Sequence, residues 1–485
     1  MNRGPETPGK RVALLVLGLA LLLSAWVLAT RPFTAPDEPS HYQRALSIVN
    51  GAILGPSVDY PNVRMNPLAR AFIDHDTRAV LVPARLSPPY VVCMNGEPDL
   101  VGSCLEADPN GNFPPLPYLL PALALGISHS PSDAIWLMRV ASALPSLAFL
   151  ALAAALLWSG TGWSLLGLLA ATTPMVLFSS SILNTSGVQI TACLAFTAAV
   201  LRIARAPALA PGWVWTAFAV SGAVAMLAGP IGLAFAIADL ALFLLLLGPR
   251  GSSELRRAGA RRALVPGLTL LAAAVLALIY SHLAGFSTTV KITPLWRSLD
   301  QGLGQLPHVL RDVVGTFGAE SVPLPRAADW LWWLLVVLLV AAGLWRGDRR
   351  ERRQLIVVAV LALAFPVLFY AWAGRMTGSG LQGREVLPIL ALIPVVAGEI
   401  VWRHSSAVEQ RRGPQLVLGG AIALIAGLQA YAWWFDARAT SANGTWSPPL
   451  GWPVWALVAA LGVAALVAFG AMEAAGNPQP AAAHA

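Results

Sequence analysis

Charge is scarce in this chain. Of its 485 residues only 12% are Asp, Glu, Lys or Arg, about half of the ~25% usual in a soluble domain. A soluble fold of this length cannot cover its surface with so few charges, which excludes an ordinary cytoplasmic enzyme. The composition is equally far from disorder, with 18 Trp and a mean hydropathy of +0.65, because a disordered chain is poor in apolar and aromatic residues. No large polar segment follows the last apolar run, and no internal repeat relates the two halves. What is present is a series of Leu-, Ala- and Val-rich runs, each about 20 residues long, which is the length that crosses a bilayer as a helix.

These runs fall at 12–30, 135–158, 162–183, 188–204, 212–228, 231–248, 263–284, 329–345, 355–373, 386–402, 415–433 and 452–472. They predict an all-α polytopic membrane protein with about twelve transmembrane helices, since lipid offers a free backbone N–H or C=O no partner. The stretch 212–248 is broken at Gly229-Pro230, read as a tight hairpin between two spans. The first run is long and has no small-residue cleavage site, so it reads as an anchor rather than a removed signal.

The net charge of +8 is a topology signal. With the amino terminus inside, the inner segments hold 18 cations and 6 acids, the outer ones 13 cations and 16 acids. That asymmetry is the positive-inside pattern, not a nucleic-acid footprint. It predicts a plasma-membrane protein with both termini cytoplasmic. Trp330, Trp332, Trp333, Trp433, Trp434, Trp446 and Trp452 cluster at outer span ends, where headgroup-level anchoring is the expected role.

The chain divides into 1–30 (cytoplasmic terminus and first span), 31–134 (a long outer loop), 135–284 (spans two to seven), 285–328 (a second outer loop) and 329–485 (spans eight to twelve and tail). A loop of such length is seldom structureless unless functional or disordered. This one carries helix-like pieces at Pro39–Asn50 and Asn66–His75 and Pro-rich corners at Pro88-Pro89 and Pro114-Pro115. It is expected to pack as an outward-facing cap that carries the function.

Cys93 and Cys104 lie in this loop with ten residues between them. A disulfide there would persist outside the membrane; two free thiols are the alternative, and the spacing is too wide for a short zinc knuckle. Cys193, inside a span, reads as a packing residue.

Directly after the first span stands Ala35-Pro36-Asp37-Glu38-Pro39-Ser40-His41-Tyr42. Two readings stay open. Asp37 is placed to cap a helix with Pro39 in its first turn, leaving Glu38 solvated; equally, a carboxylate held beside low dielectric can serve as a general base. Further pieces recur at outer span ends: Asn112-Phe113-Pro114-Pro115-Leu116-Pro117-Tyr118, Arg139, Thr173-Pro174-Met175, Asn184-Thr185-Ser186-Gly187 and Gln382-Gly383-Arg384. An outer arginine is either a ligand for a lipid-linked phosphate or a snorkelling anchor. Asp239, inside the sixth span, is expected to hydrogen-bond a neighbouring helix. Asn184 and Asn443 head N-glycosylation patterns, a weak signal.

Taken in order, these fragments resemble the GT-C superfamily of membrane glycosyltransferases, which use polyprenyl-phosphate-linked sugars, and more narrowly a bacterial branch of multi-spanning proteins within it. The residues that carry the resemblance are Pro36-Asp37-Glu38-Pro39 with His41, Pro114-Pro115-Leu116-Pro117-Tyr118, Arg139, Thr173-Pro174-Met175 with Asn184, and Gln382-Gly383-Arg384. It implies a GT-C-like fold and an inverting transfer in cell-envelope glycan synthesis, from a polyprenyl-phosphate donor to an extracytoplasmic glycan or lipid acceptor. Asp37 would be the base with Glu38 as its partner. Arg384 and Arg139 would bind the donor phosphate, and His41, Tyr42, Tyr118, Asn184 and Gln382 would contact substrate. Two positions depart from the pattern. Relatives often carry a basic residue just before the Pro-Pro-Leu stretch, where this chain has Asn112 and Phe113, and Glu385 follows the arginine where an aromatic is usual, a carboxylate placed to pair with Arg384. No cofactor is assigned: Asp37, Glu38 and His41 are residue types that meet a divalent cation, but two adjacent acids are a thin basis for a site.

A transporter or flippase of lipid-linked saccharide is the competing class. It calls for charged or broken helices near the midplane and for internal repeats, and Asp239 is the one clear midplane charge in the sequence. A scaffold with a decayed site is the third, opposed by the intact Asp37-Glu38 pair.

Overall fold

The structure, a computed structural model, describes residues 8–53, 79–83, 86–87, 103–108, 110–111, 113–205, 209–257, 260–284, 293–374, 381–405, 412–441 and 446–475. In chain order the elements are α1 (Pro8–Ala29), α2 (Glu38–Val49), β1 (Ala79–Pro83), β2 (Ser103–Ala107), a 3-10 turn (Leu116–Tyr118), α3 (Leu119–Gly126), α4 (Pro131–Leu157), α5 (Trp163–Ala171), α6 (Pro174–Ser181), α7 (Ser186–Arg205), α8 (Gly212–Leu227), α9 (Gly232–Arg257) and α10 (Ala260–Ala284). Then come α11 (Leu295–Gly315), β3 (Thr316–Phe317), β4 (Val322–Pro323), α12 (Arg326–Arg346), α13 (Arg349–Phe369), a π turn (Tyr370–Gly374), α14 (Gly383–Leu390), α15 (Leu392–Arg403), α16 (Arg412–Ser441) and α17 (Trp452–Ala475).

The chain is an all-α polytopic membrane protein. Among the described residues nine helices are long and apolar enough to cross a bilayer, and a helix pair bent at a short break forms either a broken tenth span or a re-entrant loop. Each of the twelve apolar runs is helical. The two that fall short by length are α8 and the part of α9 up to Gly248, on either side of the Gly229-Pro230 turn.

The bent pair is α5 and α6, which meet at 63°, so the run 162–183 is not the single straight span its hydropathy predicts. Pro174 opens α6. It has no N–H to donate, and it forces the preceding Thr173 into extended backbone (φ −65, ψ 164), as the residue before a proline prefers. The carbonyls freed at the break are satisfied by side chains from other spans: Gln429 donates to Thr172 O at 2.7 Å and Trp332 to Ala170 O at 3.1 Å. Irregular backbone at membrane depth survives only when protein groups take that role.

Two segments form the centre. The spans at Ser186–Arg205 and Gly383–Arg403 are 89% buried inside the protein, against 28% for Arg262–Ala284 and Arg326–Arg346, which show their other faces to the surroundings. Both central spans are mostly apolar, as surrounded helices are, and their charges meet inside the bundle, Arg205 on Glu399 at 2.5 Å. Small residues bring them close to their neighbours: a Cβ on Gly398 of α15 would lie 2.6 Å from the Gly167 Cα of α5. This is backbone-to-backbone packing of the kind membrane helices use.

The interior also takes two of the tryptophans expected at the headgroup level. Trp332 and Trp433 are buried, whereas Trp330 and Trp434 are exposed. Neighbours in sequence on a helix point about 100° apart, so a cluster of aromatics cannot all face lipid.

Part of the first loop packs on the end of the bundle from which α1 emerges. β1 and β2 pair antiparallel with Leu81 opposite Leu105. Phe33, Tyr42, Leu46, Val80, Val82 and Tyr118 share an apolar cluster with Ile135 and Met138 at the start of α4. The helix expected from Pro39 is present as α2. The helix expected at Asn66–His75, the Pro88-Pro89 corner and Cys93 lie outside the described residues, and with Cys93 goes the test of its pairing to Cys104, whose backbone is in β2. Cys193 is a buried free thiol in α7.

Candidate active site

The turn after α1 sends Asp37 and Glu38 in opposite directions. Asp37 has left-handed backbone (φ 56, ψ 9) and stands at the N-cap position of α2, but its side chain makes no capping bond. The capping reading is therefore not the one the fold uses. Its carboxylate meets Arg384 of α14 instead, Oδ2 to Nη2 at 2.5 Å, with the Asp37 side chain 53% exposed and the Arg384 side chain 7%.

Glu38, next along, is fully buried. Arg139 of α4 donates Nε to Oε1 and Nη2 to Oε2, both at 2.7 Å. The backbone N–H groups of Phe33 and Leu183 add 2.8 and 3.2 Å bonds to the same carboxylate. Arg139 spends its remaining donors on carbonyls: Nη1 on Thr30 and Val27, Nη2 on Arg31. A guanidinium has five N–H groups, and here all five are engaged, with neither partner of the pair accessible. Two sequence expectations are corrected by this closure. Glu38 has no lone pair left to assist a base, and Arg139 has no donor left for a phosphate; together they fasten the first loop to α4 and to the chain before α7.

Arg384 is aimed by close packing. A Cβ on Gly383 would fall 2.4 Å from the Val313 N and 2.5 Å from the Asp312 carbonyl carbon, so only glycine lets α14 begin against the end of α11. Gln382 is the N-cap of α14, and Glu385 folds back to accept its backbone N–H at 3.1 Å. That carboxylate therefore does not serve as the partner of Arg384, which its position next in sequence had made plausible. The second acid at Arg384 is Glu320, from the β3–β4 turn, 3.6 Å from Nη1. Asp312, at the end of α11, accepts from Thr316 Oγ1 at 2.6 Å and lies 3.4 Å from His308 Nε2.

His41 is buried one turn into α2, its Nδ1 2.6 Å from the Tyr118 hydroxyl. Burial, and secondarily the Arg384 charge, lower its pKa from 6.5 to about 3. Burial raises the Tyr118 phenol well above its ordinary range, so the phenol donates and the neutral ring accepts. An unfolded chain binds a proton at His41 below pH 6.5 that the folded chain refuses down to about 3. Stability is thus expected to fall as pH drops through that window, by up to ~1.4 kcal/mol per unit. His41→Gln should flatten this acid limb when the melting temperature is followed in detergent; an unchanged limb would remove His41 as its source.

Of the other expected substrate contacts, Tyr42 is core, packed edge-on to Phe33 at 5.4 Å. Asn184 is buried and its Oδ1 accepts from Gly187 N at 3.1 Å, holding the start of α7. A buried Asn is no glycosylation acceptor, and Asn443 lies outside the described residues. Asp239 bonds Thr197 of α7 at 2.6 Å, as an intramembrane acid bound to its neighbour should.

Two residues escaped the sequence reading. Glu320 had no motif around it; its only signal was its place in the second long outer loop. Arg44 of α2 reaches the Pro-Pro-Leu stretch that lacks a basic residue of its own, donating Nε and Nη2 to Phe113 O at 3.1 and 3.0 Å. Its other bonds run to the Ala52 and Ile53 carbonyls and the Tyr280 hydroxyl. Being buried, it organises the loop rather than facing a ligand.

One turn along α14 from Arg384 lies a small apolar crevice of about 20 Å³, room for roughly one water, lined among others by Thr173, Val313, Trp332, Trp333 and Leu387. Leu387 is one helical turn from Arg384, and Val313 is the residue against which Gly383 packs. Among the described residues no group of three His, Cys, Asp or Glu is arranged to hold a metal ion.

No curated protein matches the sequence. Two solved structures align along nearly all of it. ArnT from Cupriavidus metallidurans in the apo state is 15% identical with a TM-score of 0.46, over 96% of this chain and 78% of that one. ArnT from Cupriavidus metallidurans bound to undecaprenyl phosphate is 13% identical with a TM-score of 0.48, over 97% and 78%. Both are likenesses of outline, at identities too low to carry side-chain roles. The family described as predicted membrane protein (DUF2142) matches residues 103–393, a stretch that takes in Arg139, the bent pair, Glu320 and Arg384. With more than half of its length so matched, the chain belongs to the DUF2142 family of membrane proteins.

Proposed function

We propose that this protein is a membrane glycosyltransferase of the GT-C type, moving a sugar from a polyprenyl-phosphate donor to an acceptor hydroxyl on the extracytoplasmic side of the plasma membrane. The observation that carries the reading is the Asp37–Arg384 pair, a half-exposed carboxylate on a nearly buried guanidinium. A lipid-linked phosphate supplies the anion that such a guanidinium binds. The order of motifs shared with the GT-C superfamily supports the same reading, and the positive-inside asymmetry supports cytoplasmic termini with the site outside.

In this mechanism Asp37 accepts the proton of the acceptor hydroxyl as its oxygen attacks the anomeric carbon. The bond from that carbon to the phosphate oxygen breaks with inversion, and polyprenyl phosphate departs. Arg384 stabilises the charge that builds on the leaving phosphate, where a pre-organised cation is most effective. Glu38 and Arg139 are positioning residues that hold the Asp37 turn in place, and His41 bonded to Tyr118 ties α2 to the Pro-Pro-Leu stretch.

The test is reconstitution into vesicles holding a labelled lipid-linked sugar and an envelope-glycan acceptor fraction. Transfer moves the label onto a new product. Label that stays on the carrier and only changes leaflet would make the protein a flippase and end the transferase reading.

A further inference from the structure

Arg384 is shared between two acids. Asp37 holds Nη2 at 2.5 Å while Glu320 stands 3.6 Å from Nη1, with side chains 53% and 44% exposed. Both are non-glycine residues in left-handed backbone, with φ of 56 and 60. Such a conformation costs about 1–2 kcal/mol, and each is imposed from outside the residue. Asp37 is fixed by the anchored Glu38 that follows it. Glu320 is fixed by the β3–β4 hairpin, where Phe317 pairs with Val322 and Gly318 shares the turn at φ 58. Two segments far apart in sequence thus accept an unfavourable local geometry to bring an acid to one cation, and strain of that kind gathers at functional sites.

The arrangement sets an electrostatic problem. An anion arriving at Arg384 meets two carboxylates already there. Displacing Asp37 frees the guanidinium but leaves the new charge beside Glu320. We propose that Glu320 takes up one proton as an anion displaces Asp37 from Arg384, so that binding the anion and freeing the base are a single event. This rests on reading Arg384 as the phosphate ligand.

The step balances. One proton passes from solvent to a Glu320 carboxylate oxygen, the anion replaces Asp37 on the guanidinium, and Asp37 is released as a carboxylate able to accept the hydroxyl proton. The groups facing Glu320 favour this. Burial raises its pKa first; Arg384 and His308 oppose that rise, and Asp37 and Asp312 add to it, for a net rise. Removing Arg384's charge to a bound anion takes away the main opposing influence. Asp312 is the competing acceptor, but it already holds the Thr316 hydroxyl.

The experiment is calorimetric titration of the detergent-solubilised full chain with dodecyl phosphate, in two buffers of different ionisation enthalpy, near neutral pH. Wild type is expected to take up close to one proton per ligand more than Glu320→Gln, which is isosteric and keeps the turn. At about pH 8 the variant should bind roughly tenfold tighter, ~1.4 kcal/mol, and its affinity should follow only the ligand's own ionisation. Equal proton uptake and equal affinity in the two proteins would overturn the inference alone, and so would loss of the uptake in Asp312→Asn rather than Glu320→Gln. No binding by wild type, or undiminished binding by Arg384→Ala, would overturn the phosphate reading and this inference together.

Discussion

Asp37→Asn and Arg384→Ala are each expected to lower sugar transfer by about 10²–10³-fold or more, while both proteins still insert and the Asp37 variant melts as wild type does. The size follows from the roles: a positioned base contributes roughly 10²–10⁴, and one pre-organised group facing developing charge contributes about 10²–10³. The preserved stability follows from exposure. The Asp37 side chain is 53% in solvent and Glu320 stays 3.6 Å from the guanidinium when Asp37 loses its charge, so the Asp37 change costs little, whereas Arg384→Ala empties a nearly buried site and lowers the melting temperature somewhat. Asparagine is the right replacement because it tolerates the left-handed backbone that residue 37 adopts. Initial rates on labelled donor, with melting curves on the same preparations, check both halves. Transfer at the wild-type rate by the Asp37 variant would remove that residue from the chemistry.

Glu38→Ala and Arg139→Ala should do the opposite, costing about 3–5 kcal/mol each by leaving an uncompensated charge in a dry interior. Either change strips partners from a closed set: the N–H groups of Phe33 and Leu183 on one side, and the carbonyls of Val27, Thr30 and Arg31 on the other. Unpaired buried polar groups add to the cost. The expected readout is a large drop in melting temperature or loss of monodisperse protein in detergent, ahead of any kinetic effect. Folded variants with wild-type melting and lost transfer would return Glu38 and Arg139 to the reaction itself. Adjacent residues 37 and 38 would thus separate into one that works and one that holds.

The contrast between those neighbours marks the boundary of what the sequence by itself determined. Runs of about 20 apolar residues are a local property, and the backbone has no choice in lipid but to form helices there; all twelve runs are helical for that reason. The helix after Asp37, the hydrogen bond of Asp239 to a neighbouring span and the break at Gly229-Pro230 were legible on the same local grounds. Partner choice was not. Arg139 reaches Glu38 across 101 residues and Arg384 reaches Asp37 across 347, and nothing in a motif says which guanidinium takes which acid. The resemblance therefore offered two arginines for a phosphate, and packing closes one of them, Arg139, onto Glu38. Glu385 looked like the partner of Arg384 because it is adjacent, but a helix start turns it back on its own cap. Glu320 had no signature because its part depends on a hairpin turn meeting another helix. Hydrogen-bond saturation and charge proximity are properties of three-dimensional neighbourhoods, so only the tertiary structure decided which polar residues are fasteners and which remain available for chemistry.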